Sequence, residues 1–74
     1  MSGPALEIRD GMLLVEGCAA PVPPPEGYSF SYVAEGAGAP LVVCTGDQPY
    51  DGWWDWHFAW DEDAQALRRA GPAY

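Results

Sequence analysis

Between positions 47 and 63 the chain gathers Asp47, Asp51, Asp55, Asp61, Glu62 and Asp63, six carboxylates in seventeen residues with no Lys or Arg among them. His57 is the one group in this stretch that can carry positive charge. An uncompensated run of this kind projects a negative field that steers a cationic protein surface toward it. The plainer account is a solvated face with helix capping, a role that Asp61, Glu62 and Asp63 suit as an N-cap and first turn. Tyr50 and Trp53 interleave the acids, and amphipathic aromatics are common anchors in interfaces. The partner-binding set expected from sequence is therefore Asp47, Tyr50, Asp51, Trp53, Asp55, His57, Glu62 and Asp63.

Catalytic and metal chemistry have weaker support. His57 stands two residues from Asp55, so the two could hydrogen-bond on one strand face. A catalytic triad would also need a nucleophile, and Cys18, Cys44, Ser29, Ser31 and Thr45 are candidates only by being present. The chain contains no GxSxG elbow and no cysteine-protease signature. Cys18, Cys44, His57 and an aspartate could supply four zinc ligands, but zinc sites are built from closely spaced ligand pairs. Asp47 to Asp51 lacks the alternating oxygen ligands of a calcium loop. Gly36 and Gly38 have no following helix and lysine to cradle a phosphate. The expectation is a non-enzyme with no catalytic residues, no metal and no cofactor.

Composition limits the partners. The 74 residues hold eleven carboxylates against three arginines and no lysine, for a formal net charge of -8. A surface that grips nucleic-acid phosphates needs clustered Lys and Arg, so direct nucleic-acid binding is disfavoured, as is docking on anionic membranes. Without Lys or Asn, and rich in Ala, Gly and Pro, the usage resembles that of a GC-rich coding sequence. Such a sequence would also favour arginine, which is scarce here. The acidity therefore points to a surface meant to be negative. A chain this short hides only roughly 60 % of its unfolded surface on folding, so large side chains must supply the core.

Met1 to Arg9 has neither the positive start nor the apolar run of an export signal, and a cytoplasmic location is expected. In that compartment Cys18 and Cys44 stay reduced. A bridge between them would close a loop of about 26 residues, worth roughly 3 kcal/mol by chain entropy.

These side chains must be positioned by short elements in a single domain spanning residues 1–74. Asp10-Gly11 between two apolar runs is a strong hairpin signal and predicts strands over about 5–9 and 12–17. Residues 19–27 hold Pro21, Pro23, Pro24 and Pro25 and read as an extended connector over the surface. Tyr28, Phe30 and Tyr32 alternate with polar residues on one face of a third strand. After a turn at Gly36 to Pro40, Leu41 to Cys44 is a fourth strand, forming a second hairpin with the third. Gly46 to Gly52 reads as a polar turn.

Trp53 to Trp60 then alternates strictly, with Trp54, Trp56, Phe58 and Trp60 on the side assigned to the core. Asp61 begins a helix over about 62–70, ended by Gly71 and Pro72. The fold class is α+β and mainly β: about five short antiparallel strands, as an open sheet or small half-barrel, and one C-terminal helix.

The function expected from these features is that of a small acidic protein-binding module, an inhibitor or adaptor that docks on a basic, nucleic-acid-binding surface of a partner protein. Mobile genetic elements encode compact acidic inhibitors of this type, anti-CRISPR proteins among them. The similarity is one of size and charge, as in nucleic-acid mimics, with no motif behind it. The alternative is a small-ligand binder or accessory subunit, whose aromatic faces form a pocket or a homodimer seam.

Overall fold

The computed structural model describes residues 4–35 and 39–73. Six strands are present, β1 (Leu6–Arg9), β2 (Met12–Val15), β3 (Tyr28–Glu35), β4 (Pro40–Tyr50), β5 (Trp53–Asp61) and β6 (Ala66–Pro72). They form two antiparallel sheets, a β1-β2 hairpin and a four-stranded meander in the order β3-β4-β5-β6. The expected turn at Gly36 to Pro40 falls, at positions 36–38, outside the described residues.

The first hairpin forms as the sequence predicts. Asp10 and Gly11 take φ of 52° and 76°, the left-handed pair that a two-residue turn requires, and Arg9 pairs with Met12. The proline-rich connector is more than a surface tether. In the run Pro21-Val22-Pro23-Pro24-Pro25, Val22 carries the only backbone N–H. It donates to the Leu13 carbonyl at 2.8 Å, and the Leu13 N–H donates back to the Val22 carbonyl at 2.9 Å. The connector thus covers the open edge of β2 at a single point, where the side chain of Leu13 is fully buried.

In the larger sheet the cross-strand rows Phe30–Cys44–Trp56 and Val42–Phe58 define the inner face. The buried residues Leu13 and Val15 of the small hairpin pack there against Val42, Cys44, Trp56 and Phe58. Leu6, Ile8, Val22, Tyr28, Phe30, Trp60 and Leu67 surround this cluster. Burial of the two large rings, Trp56 and Phe58, removes on the order of 150–250 Å² each from water, which is how so short a chain builds a core.

Two departures from the expected alternation have local causes. A register shift between Phe30 and Tyr32 leaves Ser31 as the extra residue, so Tyr32 pairs with Val43 and turns away from Phe30. Tyr28, Phe30 and Tyr32 therefore do not share a face, and Tyr32 is exposed. Trp54 is also exposed, unlike Trp56 and Phe58, and the core role expected of it is not met. It sits near the tip of the β4-β5 hairpin, at the end of the row that Trp56 and Phe58 bury.

The predicted helix over 62–70 is replaced by a turn and a strand; among the described residues there is no helix. Asp61 Oδ1 does accept the Ala64 N–H at 3.1 Å, the bond an N-cap makes, but no helix follows it. Gln65 turns to φ 52°, outside the right-handed region. Residues 66–72 then pair along β5, with Asp61 opposite Ala66 and Trp60 opposite Leu67. A nine-residue helix has marginal stability of its own. As a strand the segment instead satisfies the backbone of β5 and flanks Trp60 with Leu67, removing an aromatic-rich open edge.

Candidate functional site

β5 carries the centre of the acidic segment, and its geometry divides that segment in two. Its nine residues, at ~3.3 Å each, separate Trp53 from Asp61 by about 26 Å. Asp47, Tyr50, Asp51 and Trp53 gather around the β4-β5 hairpin end, while Glu62 and Asp63 lie in the loop beyond the other end. Asp55 and His57 lie between them, both half-buried. Of the eight expected site residues, Asp47, Tyr50, Asp51 and Trp53 are thus placed at the hairpin end, while Asp55, His57, Glu62 and Asp63 are not.

The tip is a second two-residue turn of the same kind as the first. Tyr50 pairs with Trp53 across Asp51 and Gly52, whose φ values are 50° and 84°. The Asp51-Gly52 dipeptide carried the same hairpin signal as Asp10-Gly11, but the expected turn from Gly46 to Gly52 was placed too broadly. β4 instead continues to Tyr50 through an irregularity after Thr45. Gly46 is required at this kink. A Cβ there would stand 2.9 Å from the Gln48 carbonyl oxygen and 3.2 Å from Tyr28 Cε2.

Several contacts hold the tip in one shape. The indole N–H of Trp56 donates to the Trp53 carbonyl at 3.1 Å. Tyr50 meets Trp56 edge to face with ring centroids 5.4 Å apart. The Asp47 N–H donates to the Gly27 carbonyl, and the Ala73 N–H to the Asp55 carbonyl, each at 2.9 Å. From this frame Tyr50, Trp53 and Trp54 remain exposed at 52 %, 38 % and 53 %.

Sequence reasoning missed Arg69, because it assigned that residue to the last turn of a helix. On β6 it pairs with Phe58, and its guanidinium carbon lies within 3.9–5.7 Å of the ring centroids of Tyr50, Trp56, Phe58 and Tyr28. Its Nη2 donates to the Tyr28 hydroxyl at 2.7 Å. Tyr28 in turn packs edge to face on Phe58 at 5.4 Å. The alternation of Tyr28 with Phe30 and of Trp56 with Phe58 was legible, but only the strand pairing of β6 places a cation among those rings.

The other two arginines are also engaged. Arg9 pairs with Glu7 across one strand position, and Arg68 donates to Asp61 Oδ2 through Nε at 3.0 Å and Nη2 at 2.7 Å. The Ala64 N–H first, and then Arg68, hold the Asp61 carboxyl below its ordinary value. Asp47, Asp51, Glu62 and Asp63 are exposed, and among the described residues no cation pairs with them or with Asp55.

The cysteine and histidine that sequence left as catalytic candidates are not assembled. Cys44 lies opposite Trp56 on the inner face, whereas His57 is opposite the adjacent Val43 and so points to the other face. Burial pushes the Cys44 thiol up to about 11, which keeps it protonated near neutral pH. Cys18 is a separate, half-buried thiol facing Gln65 Oε1 at 3.7 Å. Among the described residues no group of three His, Cys, Asp or Glu side chains could hold a metal ion, and no helix is long and apolar enough to cross a membrane. Comparison with protein-family models, curated proteins and solved structures finds no match.

Proposed function

We propose that this protein is a non-enzymatic binding module that docks, through the acidic and aromatic end of its β4-β5 hairpin, on a basic surface of a partner protein. The observation that carries this reading is that all three arginines, though exposed, have partners within the chain: Arg9 has Glu7, Arg68 has Asp61 and Arg69 its ring of aromatics. With its cations engaged, the surface of a chain of net charge -8 offers carboxylates to whatever approaches. Asp47 and Asp51 would accelerate encounter, and Trp53, Trp54 and Tyr50 would slow release. A partner groove built for nucleic acid fits this chemistry, and occupying it would make the protein an inhibitor by competition, as an anti-CRISPR protein is.

The aromatic-pocket alternative draws less support, since the rings of Tyr28, Tyr50, Trp56 and Phe58 close on Arg69 and leave that space to a side chain of the chain itself.

The test is capture from the native host on immobilised protein at low and high salt, with identification by mass spectrometry. A partner with a basic groove, eluted by salt and by competing nucleic acid, is the expected result. If the partner is retained equally by wild type and by the Asp47→Asn, Asp51→Asn double variant at every salt concentration, the acidic surface is not what binds it.

A further inference from the structure

The two sheets end in four strand edges, those of β1, β2, β3 and β6, and three of them are guarded. β1 sets Glu7 and Arg9 at alternate, exposed positions. The edge of β2 is met by Val22 through two backbone bonds. β6 carries Arg68 and Arg69 and ends in Pro72, which has no N–H to offer. β3 has none of these devices. From Tyr28 to Ala34 it holds no charged residue and no proline, and its one carboxylate is that of Glu35 at the last position. The Tyr28 N–H is taken by the Pro25 carbonyl at 2.9 Å. Beyond it, the backbone groups that residues 29–34 turn away from β4 meet no partner among the described residues. The bulge at Ser31 sets Tyr32 opposite Val43 on the outer face and Val33 opposite the core residue Val42 on the inner one. Both are exposed, at 55 % and 37 %, so that an apolar side chain stands open on each face of this edge.

We propose that β3 is a self-association edge, and that its occupant is β3 of a second copy, paired antiparallel about a two-fold axis. The order β6-β5-β4-β3 then continues into β3-β4-β5-β6 of the second copy as one eight-stranded sheet. Charge selects this occupant. In a chain of net charge -8, Ser29 to Ala34 is a stretch along which two copies can approach with no carboxylate between them. A cationic segment would find nothing there to pair with. With Val33 facing its counterpart, Tyr32 lies opposite Ala34 and Glu35 opposite Ser31, so like charges do not meet in the ladder. The added strand also covers Tyr32 and Val33 from the side. This pairing is independent of the basic-partner reading, which uses the β4-β5 hairpin end.

Sedimentation equilibrium of the full chain, from about 10 μM to about 1 mM, tests the pairing. The weight-average mass should rise from 8.0 kDa toward twice that value as concentration increases. Salt should strengthen the association, because it screens the repulsion between two chains of charge -8, whereas a complex with a basic partner weakens. Val33→Glu sets two carboxylates face to face across the axis and should weaken the dimer by about fivefold or more. Ala70→Glu adds the same charge to the exposed edge of β6 and, at high salt, should leave the dimer unchanged. Amide signals of the ¹⁵N-labelled wild type locate the seam without any substitution: those of residues 29–34 should shift with concentration, and those of 66–71 should not. A mass of 8.0 kDa at every concentration and salt would overturn the proposal. So would association that shifts β6 and spares β3, or that a folded Val33→Glu variant retains in full.

Discussion

The guanidinium carbon of Arg69, on the last strand, lies 3.9 Å from the ring centroid of Tyr50, at the far end of β4. The contact spans the β5 strand between them and ties the outer edge of the sheet to the hairpin tip. Replacing Arg69 with Ala should cost roughly 1–2 kcal/mol, from the lost stacking and the lost bond to the Tyr28 hydroxyl. Arg69→Lys should recover only part of this, because an ammonium cannot lie flat between rings. Urea midpoints for the three proteins check the order. An Arg69→Ala midpoint equal to wild type would mean that the guanidinium only rests on the surface.

The two tryptophans Trp54 and Trp56 share an alternation but not an environment: Trp56 is 6 % exposed and Trp54 53 %. Trp56→Ala should destabilise by about 3–5 kcal/mol, as large aromatic truncations in cores do. Trp54→Ala should change stability by less than about 1 kcal/mol. Thermal melts of the pair decide whether the covered part of the inner face begins at Trp56. Equal losses would place Trp54 in the core after all.

How far the sequence could be read follows from the same residues. The Asp10-Gly11 hairpin and the β5 alternation were legible because both are local, set by left-handed turn positions and a period of two. The face swap of Tyr32 was not, since a bulge at Ser31 depends on register with β4, which lies outside the segment itself. The helix failed for a related reason. Asp61 does cap Ala64, and Ala66 to Ala70 suit a helix, but the unpaired edge of β5 competed for those residues and won. At the candidate site, the acids and aromatics around Asp51 were visible as composition. The division of Glu62 and Asp63 from them became apparent only once β5 was known to be extended, and Arg69 only once β6 was a strand.

Gly46 tests the kink that brings β4 to the tip. A Cβ at this position meets backbone, the Gln48 carbonyl oxygen at 2.9 Å, which cannot rotate away as a flexible side chain would. Gly46→Ala should therefore destabilise by about 1–3 kcal/mol. Gly71→Ala is the control, because nothing lies within 4 Å of a Cβ there. Calorimetry should show a clear drop for the first and little change for the second. A neutral Gly46→Ala would mean that the irregularity after Thr45 relaxes easily.

The Asp61 carboxylate links the β5-β6 turn to acid stability, and the direction can be worked out. Its bonds from the Ala64 N–H and from Arg68 lower its folded value below the ordinary carboxyl value of 3.8. A group depressed in the folded state stabilises above its unfolded value, and that contribution is lost as pH falls through the folded one. The Asp61 contribution should therefore be complete above about pH 5 and disappear below pH 3.8. Asp61→Asn keeps an acceptor for the Ala64 N–H but abolishes the charge. Its urea midpoint should lie below wild type at pH 7, and the gap should close progressively as pH falls below 3.8. Asp61→Ala removes the acceptor as well, so a deficit should persist even in acid, where the protonated wild-type carboxyl still accepts from Ala64. A wild-type advantage over Asp61→Asn that is undiminished well below pH 3.8 would show that the charge is not the source. The turn would then be held by the cap to Ala64 alone.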